Sequence, residues 1–333
     1  MAHLVVDKKK ISENVSQILD RCHKAGVSLL TVFKEGTIRR RLLEVLFEAG
    51  VDRLGVAHYP NPAYRIPRQV EKILLYLTPW SALDEIVSSY DMSFQSDPDT
   101  VERLAVAAAR QKVRHRVLLV AEAGDLRDGL PMEELCELAA KVAKRHSPNI
   151  EISGIAANFA CLNDSLPTKE IFIKLVECTN SLKERLKTDN PVLSVGGSDV
   201  LEWIDRGNRL PTEVTEIRCG TAVLLGTYPY SDNPIPGTNT DTITLEAEVL
   251  ECRVKQGRVR AVMDFGTLDT SPEDVRIPLE GMSFEGASSG YTVFDVTECK
   301  APVKTGMHLS FRLNYHSLSR AFLSPKLTMK IVE

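Results

Sequence analysis

The chain has 333 residues, of which 43% are hydrophobic and 26% charged, a balance typical of a globular protein with a large core. Because this length exceeds that of an ordinary single domain, we expect two domains. The formal net charge of −4 argues against a nucleic-acid-binding surface, which needs a basic footprint. No apolar run reaches the length of a membrane span, so the sequence predicts no membrane segment.

The seven cysteines are scattered, with no CxxC pair and no neighbouring histidine cluster. This pattern indicates reduced thiols and neither a disulfide framework nor a zinc site. The first residues lack the basic-then-apolar order of a secretory signal. We therefore expect a cytoplasmic protein without a metal centre.

Short apolar runs alternate with longer amphipathic segments through the first two thirds of the chain. The runs are rich in Val, Ile and Leu and mostly do not alternate with polar residues, as expected of parallel strands buried on both faces. The predicted strands are residues 28–33, 53–57, 72–77, 92–94, 117–121, 151–156, 191–195 and 215–219.

The segments between these runs carry apolar residues at helical spacing. The predicted helices include residues 38–49, 98–111, 132–146 and 169–187, and a further helix that starts at Ser198-Asp199 and runs to Asp205. Eight strands alternating with helices predict a (β/α)8 (TIM) barrel over residues 8–230, so the fold class is α/β.

After Tyr230 the pattern changes to a turn-rich linker over residues 231–237. Beyond the linker, β-forming residues alternate or cluster between Gly, Pro and Asp. Strands are predicted at residues 242–254, 258–265, 292–297, 309–313 and 327–332. We therefore expect a second, mostly β domain over residues 231–333, which the N-terminal strand at residues 3–7 joins.

Residues able to do chemistry follow several of the predicted barrel strands. Lys34 follows the first strand, Arg127 lies in the loop after the fifth, Asn158 follows the sixth and Arg218 lies at the end of the eighth. A barrel carries its active site at this rim, in the loops after its strands. On this rim, one lysine and two arginines lie together with two loops of small residues. Together they indicate a functional site more strongly than any one of them alone.

The role of Lys34 has two interpretations. A lysine at a strand end can extend its amine into solvent at the barrel mouth, or be desolvated so that its pKa falls and it forms a Schiff base. The loop Gly196-Gly197-Ser198 favours the second reading, because glycines let the backbone approach an anion and a helix start binds it. Gly220-Thr221 offers the same after the eighth strand, and barrels often bind phosphate after strands seven and eight.

These residues belong to segments that resemble the alanine-racemase-like, fold-type III enzymes that use pyridoxal 5'-phosphate (PLP), and within them the ornithine-racemase-type amino-acid racemases. The resemblance spans nearly the whole chain. It rests on Val6-Asp7-x3-Ile11-x2-Asn14, residues 154–161 (GIAANFAC), residues 216–226 (EIRCGTAVLLG), residues 286–289 (GASS), and Leu313-Asn314-Tyr315-x2-Leu318-x-Arg320-Ala321-x3-Pro325.

The resemblance implies that Lys34 holds PLP as a Schiff base, that Arg127 contacts the phenolic oxygen of PLP, and that Asn158 lies against its ring. It also implies a phosphate cradle made of Gly197, Ser198, Gly220 and Thr221. Arg218 would hydrogen-bond the pyridine nitrogen of the cofactor.

Arg218 bears on the type of reaction. An arginine stays protonated and disfavours a protonated pyridine beside it, so the ring is a weak electron sink. This discourages transamination, and a fold-type III decarboxylase would be expected to carry an acid there instead. We therefore predict a racemase that interconverts the L- and D-forms of a free amino acid.

Racemisation needs a proton-transfer group on each face of the substrate Cα, and Lys34 can serve one face. In the family the second group is a tyrosine of the partner subunit, in a Gly-Tyr-Ala-Asp-Gly segment. Residues 265–269 of this chain (FGTLD) contain no tyrosine. The candidates for the second base are Tyr315, Tyr291 and His316, each of which could instead be an ordinary residue of the β domain.

Two further departures bear on the substrate. Gly290-Tyr291 follows the GASS segment in place of an acid and a histidine, and the loop His58-Tyr59-Pro60-Asn61 lacks the acidic and arginine residues of the family. Ornithine specificity is therefore not implied. The alternatives are another fold-type III reaction, such as that of a lyase or decarboxylase, and a non-catalytic PLP-binding homologue. Because subunits of the family pair so that each β domain closes the other barrel, we expect a homodimer.

Overall fold

The computed structural model describes residues 1–34, 40–59, 66–144, 148–159, 162 and 166–333. A strand, β1 (His3–Asp7), and a helix, α1 (Lys8–Lys24), open the chain. The side chain of Asp7 caps α1 by accepting a hydrogen bond from the Lys10 amide. In the described part of the chain, no helix is both long and apolar enough to cross a membrane.

Eight parallel strands then close into a barrel. They are β2 (Ser28–Phe33), β3 (Arg53–Val56), β4 (Glu71–Leu74), β5 (Met92–Gln95), β6 (His115–Ala121), β7 (Ile150–Asn158), β8 (Val192–Gly196) and β9 (Glu216–Cys219). β9 pairs back with β2, which closes the ring. The predicted (β/α)8 barrel is confirmed.

Helices cover the outside of the barrel: α2 (Arg40–Glu48), α3 (Leu83–Ser89), α4 (Pro98–Gln111), α5 (Met132–Lys144), α6 (Lys169–Leu186), α7 (Ser198–Asp205) and α8 (Thr221–Leu225). Local signals set their ends. α4, for example, starts at Asp97-Pro98, where the Asp97 carboxylate accepts from the Thr100 amide, and it ends at Lys112 in the left-handed region. Inside the barrel, alternate strand residues such as Leu30, Phe94 and Leu118 form a separate apolar cluster.

Some predicted boundaries differ from those of the structure. The strand predicted at 72–77 is β4, which ends at Leu74, and Leu77 beyond it is 43% exposed. α7, in contrast, begins at Ser198 as predicted, with Gly197 as its N-cap. The Ser198 hydroxyl accepts a hydrogen bond from the Ala222 amide. The predicted helix ends at 38–39 and 145–146 lie outside the described residues.

The remaining strands form a second sheet. They are β10 (Ile243–Lys255), β11 (Arg258–Met263), β12 (Ser283–Ala287), β13 (Thr292–Asp295), β14 (His308–Arg312) and β15 (Thr328–Val332). The strand order is β12-β13-β11-β10-β1-β15, and β14 also pairs with β10. The mostly β region after the barrel is therefore confirmed. The division of the chain between residues 230 and 231 stays a prediction.

One helix after the barrel, α9 (Tyr315–Leu323), was not expected from the sequence. A capping box starts it: the Asn314 side chain accepts from the Ser317 amide, and the Ser317 hydroxyl accepts from the Asn314 amide. The Phe322 ring on the buried face of α9 lies 6.4 Å from the Phe33 ring at the end of β2. α9 therefore brings C-terminal residues to the mouth of the barrel.

Candidate active site

A cavity of about 910 Å³ opens at the carboxyl ends of the barrel strands, with α9 forming part of its wall. Its lining includes ten of the residues singled out from the sequence: Lys34, Arg127, Asn158, Gly197, Ser198, Arg218, Gly220, Thr221, Tyr315 and His316. These residues are distant in sequence, and the closed barrel brings them together. The volume is typical of a small-molecule site.

Lys34 lies at the end of β2, where its ammonium donates a hydrogen bond to the Tyr315 hydroxyl. The Lys34 nitrogen is also 4.6 Å from the centre of the Tyr315 ring. The Lys34 side chain is exposed. The expectation of a desolvated amine is therefore wrong for the single chain, because the cavity is open to solvent on this side.

Arg218 on β9 is 3% exposed, and both terminal nitrogens of its guanidinium donate hydrogen bonds. Nη1 donates to the Ser194 hydroxyl at 2.8 Å, and Nη2 donates to the Ala157 carbonyl and the Asn158 side-chain oxygen, both at 2.7 Å. Gly196 lies so close that a Cβ there would clash with the guanidinium. A glycine is therefore required beside this arginine.

A polar network continues from Arg218 through the barrel interior. The Ser194 hydroxyl donates to the Glu216 carboxylate, which is 2% exposed and pairs with Arg53. Arg53 also pairs with Glu71, and Arg116 pairs with the same Glu71 carboxylate. Burial by itself would raise the pKa of Glu71, but the two arginines hold it below its ordinary value. This network was missed at the sequence level.

The loops after β8 and β9 form a small cup, which we call the anion cup: Gly197, Ser198, Gly220 and Thr221. Ser198 is 5% exposed, and its hydroxyl accepts from the Ala222 amide at 3.1 Å, which ties the two loops together. A Cβ at Gly220 would lie 2.9 Å from the Val32 carbonyl oxygen. Small residues are therefore needed where the chain turns around the cup.

Asp199 is a buried acid next to the anion cup that sequence reasoning missed. One carboxylate oxygen, Oδ1, accepts from the Gly197 amide at 2.9 Å. The other, Oδ2, is buried and has no hydrogen-bond partner among the described residues. Burial raises the pKa of Asp199 to about 7. Its position directly after the Gly-Gly-Ser loop was the available signal.

Arg127 reaches the cavity from the loop after β6. Its Nη2 lies 3.2 Å from the Asp128 carboxylate, and its Nε lies 3.7 Å from the buried carboxylate of Asp125. Asp125 in turn accepts a hydrogen bond from the Leu162 amide at 2.7 Å. The two acids hold the arginine at the cavity wall while 43% of its side chain stays exposed.

The three candidate second bases occupy different places. Tyr315 touches Lys34, and the His316 ring packs against the Tyr315 ring with centroids 5.4 Å apart. Tyr291 is 54% exposed on a turn of the second sheet and is not among the residues that line this cavity. The Thr267 and Leu268 amides donate to the carbonyls of residues 288 and 289 in the same turn. Two of the segments that depart from the family pattern, residues 265–269 and 290–291, therefore lie in neighbouring turns.

A second cavity, of about 1040 Å³, lies outside the barrel between α5 and α6. Its lining includes Cys136 and Cys178 but none of the residues predicted for the site. The parts of the sequence motifs at 35–36, 60–61 and 160–161 lie outside the described residues.

Comparison with known proteins agrees with this arrangement. Residues 6–229 match the family model described as alanine racemase, N-terminal domain, and because this is more than half of the chain, the protein belongs to that family. The chain is 26% identical to an ornithine racemase of Acetoanaerobium sticklandii, covering 96% of this chain and 97% of that protein. It is 27% identical to a lysine racemase of Thermotoga maritima, covering 97% and 96%.

Among solved structures, the crystal structure of alanine racemase from Bartonella henselae with covalently bound pyridoxal phosphate is similar over 99% of both chains. The TM-score is 0.74 at 16% sequence identity. This likeness concerns the fold, and it agrees with the barrel followed by a β sheet. The sequence-based resemblance to the alanine-racemase-like enzymes is confirmed.

Proposed function

We propose that this protein is a PLP-dependent amino-acid racemase in which Lys34 binds the cofactor. The observation that carries the proposal is that Lys34, Arg218 and the anion cup, which lie far apart in the sequence, line one cavity. The relatives that are named ornithine racemase and lysine racemase point to the same class of reaction.

The cavity residues suit the four functional groups of PLP. Lys34 provides a primary amine for the aldehyde, and the anion cup provides a hydroxyl and glycine backbone for the phosphate. Arg218, in the cavity wall, would hold the pyridine nitrogen, and Asn158, which accepts a hydrogen bond from Arg218, would lie against the ring face. We assign Arg127 to the phenolic oxygen.

Bound PLP supplies electron withdrawal that makes the Cα proton of an amino acid acidic. Arg218 limits this withdrawal, because a guanidinium stays protonated and gives no proton to the ring nitrogen. Its fixed hydrogen bonds to Ser194, Ala157 and Asn158 keep it in place. This favours return of a proton to Cα over its transfer to the cofactor, and return on the opposite face gives racemisation.

Two proton-transfer groups are needed on opposite sides of Cα. Lys34 serves one side, and Tyr315, which accepts a hydrogen bond from the Lys34 ammonium, shares that side with it. Tyr291 or His316 then serves the other side. Because Tyr291 lies outside the cavity of its own chain, it can act only in the barrel mouth of a second subunit.

We also propose that the protein is a cytoplasmic homodimer. The exposed turns that carry Leu268, which is 75% exposed, and Tyr291 are the part of the second sheet suited to reach a partner's open cavity. The six cysteines among the described residues are free thiols, which supports a reducing compartment.

The direct test of the activity is exchange of the Cα proton with solvent deuterium across a panel of L- and D-amino acids, including ornithine, lysine, alanine and histidine, with PLP added. We expect exchange with inversion and without loss of CO2 for at least one amino acid, and none with Lys34→Ala. Release of CO2 would indicate a decarboxylase. If PLP binds but no amino acid of any class exchanges, the racemase assignment is wrong.

A further inference from the structure

The acid beside the anion cup poses an electrostatic problem. Asp199 is 4% exposed, lines the cavity, and leaves Oδ2 buried without a hydrogen-bond partner among the described residues. A carboxylate next to a phosphate would place two like charges together in a poorly solvated site, which is unfavourable. A proton on one of the two groups removes the repulsion and creates a hydrogen bond.

The groups around Asp199 shift its pKa in opposite directions. Burial makes the charged carboxylate unfavourable, the Gly197 amide and the Arg218 guanidinium on β9 favour it, and Asp125 in the loop after β6 disfavours it. The Cys219 thiol on β9 is a further titratable group that interacts with Asp199, and burial raises its pKa well above the ordinary value. Burial outweighs the attraction of Arg218, so the pKa of Asp199 rises to about 7.

We propose that Asp199 binds the phosphate group in its neutral form by donating the Oδ2 proton to a phosphate oxygen, so that anion binding at the cup takes up one proton. This inference rests on the anion cup of the proposed function. Well below pH 7, Asp199 is protonated with or without the anion, so the affinity of the cup for the anion does not change with pH through this group. Above pH 7, the proton must be taken from solvent, and affinity falls about tenfold per pH unit.

Sulfate is the informative probe, because it keeps a constant charge between pH 6 and 9 whereas a phosphate ester titrates near pH 6. Sulfate binding to the full chain freed of PLP can be measured by calorimetry in buffers of different ionisation heat. We expect the dissociation constant to rise about tenfold between pH 7.5 and 8.5, with uptake of about one proton at pH 8.5.

Asp199→Asn is the matched variant, because an amide donates a hydrogen bond without titrating. We expect its sulfate affinity to be the same at pH 7.5 and 8.5, with no proton uptake. A pH-independent affinity in the unmodified protein overturns the proposal, as does an unchanged pH dependence in Asp199→Asn. If the variant does not fold, proton uptake by the unmodified protein still decides the matter.

Failure of this inference can be told apart from failure of the proposed function. PLP attached to Lys34 gives a visible absorbance band whose presence does not depend on proton uptake at Asp199. If that band forms normally while sulfate binding is independent of pH, only the role of Asp199 is refuted.

Discussion

Arg218 shows how one residue acquires its role from its surroundings. Its guanidinium is buried, donates hydrogen bonds to Ser194, Ala157 and Asn158, and leaves room for no side chain at position 196. The sequence indicated an arginine at a strand end, but its burial and its partners depend on three neighbouring strands. Asp199 was missed for the same reason, because an acid after a glycine loop is usually exposed, and here it is buried.

His115 provides a residue-scale test of the barrel that is separate from catalysis. Its ring nitrogens lie 2.8 Å from the Ser93 hydroxyl and 3.2 Å from the Tyr90 carbonyl, and burial lowers its pKa to about 4. The unfolded chain takes up this proton below pH 6.5 but the folded chain does not, so the contribution of His115 to stability falls as the pH drops from 6.5 to 4. We expect this contribution to fall by roughly 3 kcal/mol across the window, while the raised pKa of Asp199 acts in the opposite direction.

Denaturant unfolding at several pH values measures this loss. The stability of the unmodified protein relative to His115→Gln should fall by about this amount in that window, whereas its stability relative to the matched substitution His23→Gln, at an exposed position of α1, should not change with pH. An equal pH dependence in His115→Gln would show that other groups are responsible.

At the scale of elements, the barrel strands could be predicted because runs of Val, Ile and Leu of this length suit few other structures. α9 was missed although its signals are in the sequence: Asn314 and Ser317 form a capping box, and Leu318, Ala321 and Phe322 have helical spacing. A short helix among strands is easily read as one more strand. Its contact with Lys34 could not be predicted, because Tyr315 is 281 positions away.

The N-cap of α9 should affect the active site as well as the stability of the protein. Asn314→Ala removes a capping hydrogen bond and is expected to lower the free energy of unfolding by about 1 kcal/mol. It also loosens the first turn, which carries Tyr315, so the KM for the amino acid or the absorbance of bound PLP should change. Thr168→Ala, at the cap of α6, is the matched control and should lower stability similarly without either effect. Equal effects of both variants on the site would argue against a positioning role for α9.

The polar network inside the barrel joins strands that the sequence could not pair. Arg53 on β3 contacts Glu71 on β4 and the buried Glu216 on β9. Arg53→Met leaves Glu216 without its ion-pair partner, and we expect a loss of stability of about 3–5 kcal/mol. Arg110→Met, which breaks a solvent-exposed pair with Asp84, should lower stability far less. Similar losses in urea unfolding for the two variants would contradict this account of the network.

At the scale of the whole molecule, the order of barrel and β sheet followed from the change in sequence pattern after Tyr230. β1 is the exception in chain order, because the first strand pairs with β10 and β15 in the second sheet. Its pairing across the length of the chain ties the two regions together before the barrel begins. The proposed closure of the cavity by a second subunit depends on contacts between chains, which the pattern of one chain does not reveal.

Subunit complementation tests whether Tyr291 acts across a dimer. If Tyr291 is the second base, Lys34→Ala and Tyr291→Phe should each fail to racemise the substrate alone, while heterodimers formed by mixing them contain one site with both groups intact. Statistical mixing should restore about a quarter of the unmodified racemisation rate. No recovery despite heterodimer formation, shown by native mass spectrometry, would exclude Tyr291 as the group supplied by the partner.

The central claim is that the Lys34 amine carries the cofactor, and the most direct measurement is the site of PLP attachment. After reduction with borohydride, peptide mass spectrometry should find the reduced cofactor on the peptide that contains Lys34. Lys10→Ala, at a lysine paired with Asp241, should retain the visible absorbance band, whereas Lys34→Ala should lose it. Attachment to another lysine, or a band that survives in Lys34→Ala, would contradict the account.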